Sequence, residues 1–302
     1  MEPLQRQFVN TSKREVCADD ALILHVHEFG RSGDPGVLML HGLGQTGQSW
    51  HGAARQLAES GFHVLCPDFR GHGASDWAPG GEYSLLDFLA DVRRHARLFA
   101  KPPIIVGASM GGLLALLGEA EANQTLARAL VLVDITPRWE RKGVERILSF
   151  MRAAPNGFGS LEEAQGAIAE HLPHRAGESS DRRLRRMLDQ HHDGRWYWHW
   201  DPALLDQIEQ QSEQYPQRLL AAARVLTAPV LLVSGSRSDV VSRETITEFL
   251  NAVPHAQHAD IAEATHMVAG DNNDAFNQAL LNFIGGLASE SVQRAAAATV
   301  SA

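Results

Sequence analysis

Short apolar runs alternate along the chain with longer amphipathic stretches. Residues 22–29 alternate apolar and polar positions, as a strand with one covered face does. Gly36-Val37-Leu38-Met39-Leu40 is apolar throughout and stops at His41-Gly42-Leu43-Gly44, which predicts a buried strand ending in a tight loop. Residues 50–60 read as helix closed by Gly61, and 63–69 as the next strand. Residues 84–99 predict an amphipathic helix with Leu85, Phe88, Val92 and Leu98 mostly on one face. Pro103-Ile104-Ile105-Val106-Gly107 is another buried strand, and an Ala- and Leu-rich helix follows over 110–122. Strands at 129–135, 230–233 and 257–261 and helices at 243–252 and 274–284 complete the series.

This alternation predicts an α/β architecture, a mostly parallel sheet with helices on both faces. The rhythm breaks between Ile135 and Val230, where residues 140–151, 161–171, 181–190 and 202–224 read as helical. The expected organisation is a core of residues 1–136 and 227–302 with a helical cap, 137–226, over one end of the sheet. No internal repeat is present.

Composition narrows the partners. The net charge of -9 argues against nucleic acid, which demands a basic footprint. Arg182, Arg183, Arg185 and Arg186 sit among acids and helix formers and read as a solvated helix face. Cys17 and Cys66 make no disulfide framework and fit a reducing compartment. No apolar run reaches the roughly 20 residues that span a bilayer, and residues 1–6 do not resemble a signal peptide, so a cytoplasmic protein free of membrane is expected.

The candidate chemistry sits where the predicted strands end. Gly107-Ala108-Ser109-Met110-Gly111 fits the G-x-S-x-G turn between a buried strand and a helix. Such a turn strains the serine backbone, and its flanking residues must be small. A serine hydroxyl needs a base, and the base needs a carboxylate to orient it. Asp239, in the loop after the 230–233 strand, is the expected acid. Asp134, at the end of the 129–135 strand, is the rival. His266, after the last strand, is the expected base because it follows the acid in the order this turn class uses. An oxyanion needs two backbone N–H donors, expected from Leu43 and Met110.

Taken with the segment Asp68-Phe69-Arg70-Gly71-His72-Gly73-Ala74-Ser75 and the pair Thr265-His266, these motifs resemble the α/β-hydrolase superfamily in its usual order. The resemblance implies an eight-stranded core with a lid, no metal and no organic cofactor, and a structural role for the Asp68 to Ser75 segment. The elbow carries Ser and not Asp, which sets the chain apart from the epoxide-hydrolase and haloalkane-dehalogenase branches, and the loop at His41 is not of the HGGG lipase type. The expected activity is hydrolysis of a small, apolar carboxylic ester through an acyl-enzyme. Carbon–carbon or lactone hydrolysis and perhydrolysis use the same triad and stay open, and a receptor without catalysis is disfavoured by the intact Ser, Asp and His. His41 and Trp139 are expected to line the substrate pocket. Trp196, Trp198 and Trp200, spaced by two, fit either a pocket wall or a packing cluster. His25 with His27, and His191 with His192, lack the spacing of known metal motifs.

Overall fold

The computed structural model describes residues 11–171, 184–185, 187–211, 215–268 and 274–300. An eight-stranded sheet runs in the order β1-β2-β4-β3-β5-β6-β9-β10. Its strands are β1 (Thr11–Cys17), β2 (Ile23–Phe29), β3 (Gly36–Leu40), β4 (His63–Pro67), β5 (Ile104–Ala108), β6 (Ala129–Val133), β9 (Val230–Gly235) and β10 (Gln257–Ile261). β1 pairs antiparallel with β2, and β2 with β4; every other neighbour is parallel.

The apolar strands are covered on both faces, which is why they lack alternation. Val37 and Met39 of β3 enter one core cluster with α1 (His51–Glu59) and the last helix, while Leu38 and Leu40 enter the other with α2 (Leu85–Ala96) and α3 (Met110–Ala120). Leu38, Met39 and Leu40 are fully buried, and each such side chain contributes about 1.5–3 kcal/mol relative to exposure. The start of α2 is set by a capping box: Ser84 accepts the Asp87 N–H, and the Asp87 carboxylate accepts the Ser84 N–H.

Between β6 and β9 lie α4 (Arg141–Met151), α5 (Leu161–His171), the antiparallel pair β7 (Leu188–Gln190) and β8 (Trp196–Trp198), α6 (Ala203–Gln211) and α7 (Tyr215–Arg224). Leu148, Phe150, Phe158, Trp198 and Trp200 of this segment join the same core cluster as α2 and α3, so the insertion shares the core's apolar interior. After β9 come α8 (Arg243–Ala252) and, beyond β10, α9 (Asp274–Val300).

Four expectations change. Residues 188–190 are strand where 181–190 was expected as helix; pairing with the aromatic Trp196–Trp198 run fixes them extended, while residues 181–183 lie outside the described residues, as do Arg182, Arg183 and Arg186 of the basic cluster. The single helix expected over 202–224 is two, α6 and α7. The last helix runs on to Val300, past the stop read at 284, along the Ala-rich tail whose composition left either fraying or extension of that helix open. The strand Thr11–Cys17 was not foreseen: it is a sheet edge on which only Val16 is buried, so it carries no apolar periodicity. Among the described residues no helix is long and apolar enough to cross a membrane.

Candidate active site

β3, β5, β6, β9 and β10 are consecutive, parallel neighbours, so the loops leaving their carboxyl ends meet along one edge. Ser109 stands between β5 and α3 with φ 47° and ψ -118°, a strained conformation for a residue with a side chain. Its N–H donates to Val133 O at 3.0 Å and its carbonyl accepts from Gly112 and Leu113, which pins the turn to β6 and to the helix. The glycines are obligatory: a Cβ on Gly107 would lie 2.4 Å from Gly111 O, and one on Gly111 2.5 Å from Leu40 O. Ser109 itself is half-buried and therefore reachable.

The loop after β3 lies against this turn. A Cβ added to Gly42 would come within 3.3 Å of Ser109 Cβ. Gln45 Oε1 accepts the Gly42 N–H at 3.2 Å, and its Nε2 donates to Met267 Sδ at 3.0 Å, tying the loop to the residue beside His266. Two buried histidines hold it from beneath. His41 Nδ1 donates to Gly42 O at 2.8 Å while Nε2 accepts the Phe69 N–H at 2.9 Å. His72 Nε2 accepts the Gly44 N–H at 3.1 Å. Burial pushes His41 down to about 4 and His72 well below the ordinary histidine range, so both stay neutral and keep these acceptors. Among the described residues, the Leu43 and Met110 N–H groups donate to no backbone or side-chain acceptor. Met110 is the first residue of α3, where such free N–H groups are inherent.

The structure places Asp134, not Asp239, against His266. Asp134 Oδ2 accepts from His266 Nδ1 at 2.8 Å and from the Ser238 hydroxyl at 2.5 Å, and Oδ1 accepts the Gly235 N–H at 2.8 Å. The residue is wholly buried and has φ 50°, a strained backbone that aims its carboxylate across to β9 and His266. Asp239 instead pairs with Arg146 of α4, and its side chain is 30% exposed. The expectation that Asp239 orients the histidine is therefore corrected. It failed because the loops after β6 and β9 leave adjacent strands and offer carboxylates to the same space.

His41 also departs from expectation. It is fully buried with both ring nitrogens engaged, so it braces the loop and offers no face to a pocket. Trp139 is half-buried and packs against the larger core cluster. Trp196, Trp198 and Trp200 form a packing cluster. Trp198 stacks on Trp200 at 4.6 Å and meets Phe150 and Phe158 edge-on, and its Nε1 donates to Ala153 O. Sequence reasoning missed Ser238, Gln45 and His72. His72 and Ser238 stood in motifs that carry the family resemblance, but none of the three has a spacing that marks its role.

A family model described as the alpha/beta hydrolase fold matches residues 35–272. The chain is 29% identical over 257 residues to the 3-hydroxybutyrate-oligomer hydrolase of Cupriavidus necator, covering 80% of this chain and 85% of that one. It is 30% identical over 261 residues to the esterase Rv0045c of Mycobacterium tuberculosis, covering 78% of each. The crystal structure of E-2-(acetamidomethylene)succinate hydrolase superposes with a TM-score of 0.78 at 24% identity, over 91% of this chain and all of the other. The serine turn, the strand order and the family match over most of the length agree, and the chain belongs to the α/β-hydrolase fold family.

Proposed function

We propose that this protein is a serine esterase in which Ser109 is the nucleophile, His266 the general base and Asp134 the acid that orients it. The observation that carries the reading is the 2.8 Å hydrogen bond from His266 Nδ1 to the buried Asp134 carboxylate, on the loop edge that also holds the strained Ser109. With Nδ1–H committed to Asp134, the lone pair of His266 is on Nε2, the nitrogen that takes the Ser109 proton as the hydroxyl attacks the ester carbonyl. The carbonyl oxygen becomes an oxyanion held by the Leu43 and Met110 N–H groups. Collapse expels the alcohol, which receives the proton from His266, and water attacks the acyl-enzyme by the same route in reverse. The relatives named as an esterase and as a 3-hydroxybutyrate-oligomer hydrolase support an ester as the scissile bond.

Residues 137–226 act as a cap in this reading. Its Met151 and Trp200 meet Gly44 of the oxyanion loop, where an added Cβ would come within 2.9 Å of Met151 Cε and 3.5 Å of Trp200, so cap and loop shape one substrate space. Trp139 belongs to its wall.

The experiment is labelling of Ser109 with a fluorophosphonate, followed by turnover of p-nitrophenyl esters of increasing acyl length. Labelling lost in Ser109→Ala, together with ester turnover lost, is expected. Turnover near the original level in Ser109→Ala would overturn the assignment. Trp139→Ala is expected to change the ratio of rates on short and long esters, and an unchanged ratio removes Trp139 from the pocket.

A further inference from the structure

A second cluster of reactive side chains lies away from Ser109, where β2 faces the loop after β4. His25 and His27 are two residues apart on β2 and so project from the same face. Both point at Asp68, just beyond β4. His25 Nδ1 stands 3.7 Å from Asp68 Oδ2, and His27 Nε2 stands 3.6 Å from Asp68 Oδ1. These are too long for hydrogen bonds. His25 Nδ1 and His27 Nε2 are accordingly buried nitrogens without a hydrogen-bond partner, on residues only 9% and 6% exposed. A buried polar atom left unsatisfied is destabilising, so two facing one carboxylate need a reason.

We propose that His25 Nδ1, His27 Nε2 and the Asp68 carboxylate form a site for a divalent transition metal of the zinc class. The donor set is the one such ions take, two imidazoles and a carboxylate. The donor atoms all lie within 4.8 Å of one another. Tetrahedral ligands bound at about 2.0–2.1 Å stand about 3.3–3.4 Å apart, so the His–Asp separations of 3.7 and 3.6 Å are near that spacing and the widest pair must close on binding. The carboxylate is already oriented: Asp68 Oδ1 accepts the Gly47 N–H at 2.7 Å and Oδ2 accepts the Ala74 N–H at 3.0 Å, which leaves one lone pair on each oxygen. The three side chains leave a fourth position for water, and the His25 side chain, 11% exposed, is the way in. The imidazoles bind as neutral ligands and nothing is oxidised or reduced. Bound there, the ion joins β2 to both the turn at Gly47 and the loop at Ala74, so its effect is structural and does not depend on the esterase reading. His25 and His27 share a strand face, but Asp68 is remote from them in sequence and reaches them only because β2 pairs with β4.

The test uses the full chain, stripped with a chelator and titrated with Zn²⁺ by calorimetry and by thermal unfolding. Expected are one Zn²⁺ per chain and a raised Tm. His25→Asn and His27→Gln should each weaken binding by about 100-fold or more and remove the Tm rise. His191→Ala/His192→Ala, which alters an exposed pair, should keep both. Absence of Zn²⁺ binding, binding without a Tm rise, or unchanged affinity in His25→Asn and His27→Gln each overturns the proposal. If those variants do not fold, the exposed pair decides: loss of binding in His191→Ala/His192→Ala overturns it, and retained one-to-one binding sustains it.

Discussion

Asp134→Asn is the most informative single change, because it tests which carboxylate serves His266. The substitution keeps shape and an oxygen that can still accept the Gly235 N–H. It replaces Oδ2, which accepts from Ser238 and from His266 Nδ1, with an NH₂ group. Ser238 can adapt by rotating its hydroxyl. His266 cannot: facing a donor, Nδ1 must offer its lone pair, so the ring proton moves to Nε2 and blocks the base. The charge is lost as well. A carboxylate about 4 Å from a developing imidazolium stabilises it by about 4 kcal/mol at an effective dielectric constant of 20. Together these predict a fall in kcat of about 10³–10⁴, or about 4–5.5 kcal/mol in the barrier.

Asp239→Asn is the paired control. It removes only a partly exposed ion pair with Arg146, worth less than about 1 kcal/mol, and should leave kcat within about threefold. The assay is kcat and KM on a short p-nitrophenyl ester, with circular dichroism to show that both variants are folded. If Asp239→Asn collapses kcat while Asp134→Asn keeps it within tenfold of the original, the reasoning is refuted and the acid belongs to the β9 loop.

Ser238→Ala should lower kcat about tenfold with little change in KM, because the hydroxyl that fixes Asp134 also accepts the Val240 and Val241 N–H groups; an unchanged kcat shows that Gly235 alone holds the carboxylate. Asp91→Ala should destabilise the fold by about 3–5 kcal/mol in urea unfolding, since it strips a two-pronged partner, at 2.6 and 2.9 Å, from the buried Arg70 guanidinium. Acid should also destabilise the protein. Burial holds His41 and His95 at about 4, against an ordinary 6.5, so below 6.5 the unfolded chain binds protons that the folded chain does not. Their contribution is whole above pH 6.5 and is lost as pH falls towards 4, at up to about 1.4 kcal/mol per pH unit for each histidine. His95→Leu should make this limb shallower in unfolding series from pH 7 to pH 4; an identical slope removes His95 from the account.

The central strands were legible because each is covered on both faces and bounded by turn residues, and Gly36–Leu40 begins and ends where the pattern places it. Thr11–Cys17 was illegible for the opposite reason: an exposed edge strand imposes no apolar period. Residues 188–190 read as helix because their extended form depends on a partner, Trp196–Trp198, and pairing of that kind leaves no local signal. At the site, the serine turn was readable because sterics demand glycine on both sides of it. The carboxylate bonded to His266 was not, because the choice between Asp134 and Asp239 depends on side-chain direction at two neighbouring strand ends.

That neighbourhood also explains how the β9 loop takes part without supplying the carboxylate bonded to His266. Val133 pairs in register with Val233, so the chain leaves β6 at Asp134 beside the point where β9 reaches Ser234 and Gly235. A carboxylate on either loop can address a histidine arriving from β10, the next strand over. When the carboxylate comes from β6 it crosses in front of β9, and its burial has to be balanced there by donors. The Gly235 N–H and the Ser238 hydroxyl are those donors. The strained φ of Asp134 is the local cost of directing the carboxylate sideways, and three hydrogen bonds to a buried ion hold it in place. Asp239 sits instead at the boundary with α4, where its pairing with Arg146 links the inserted segment to the loop whose donors hold Asp134.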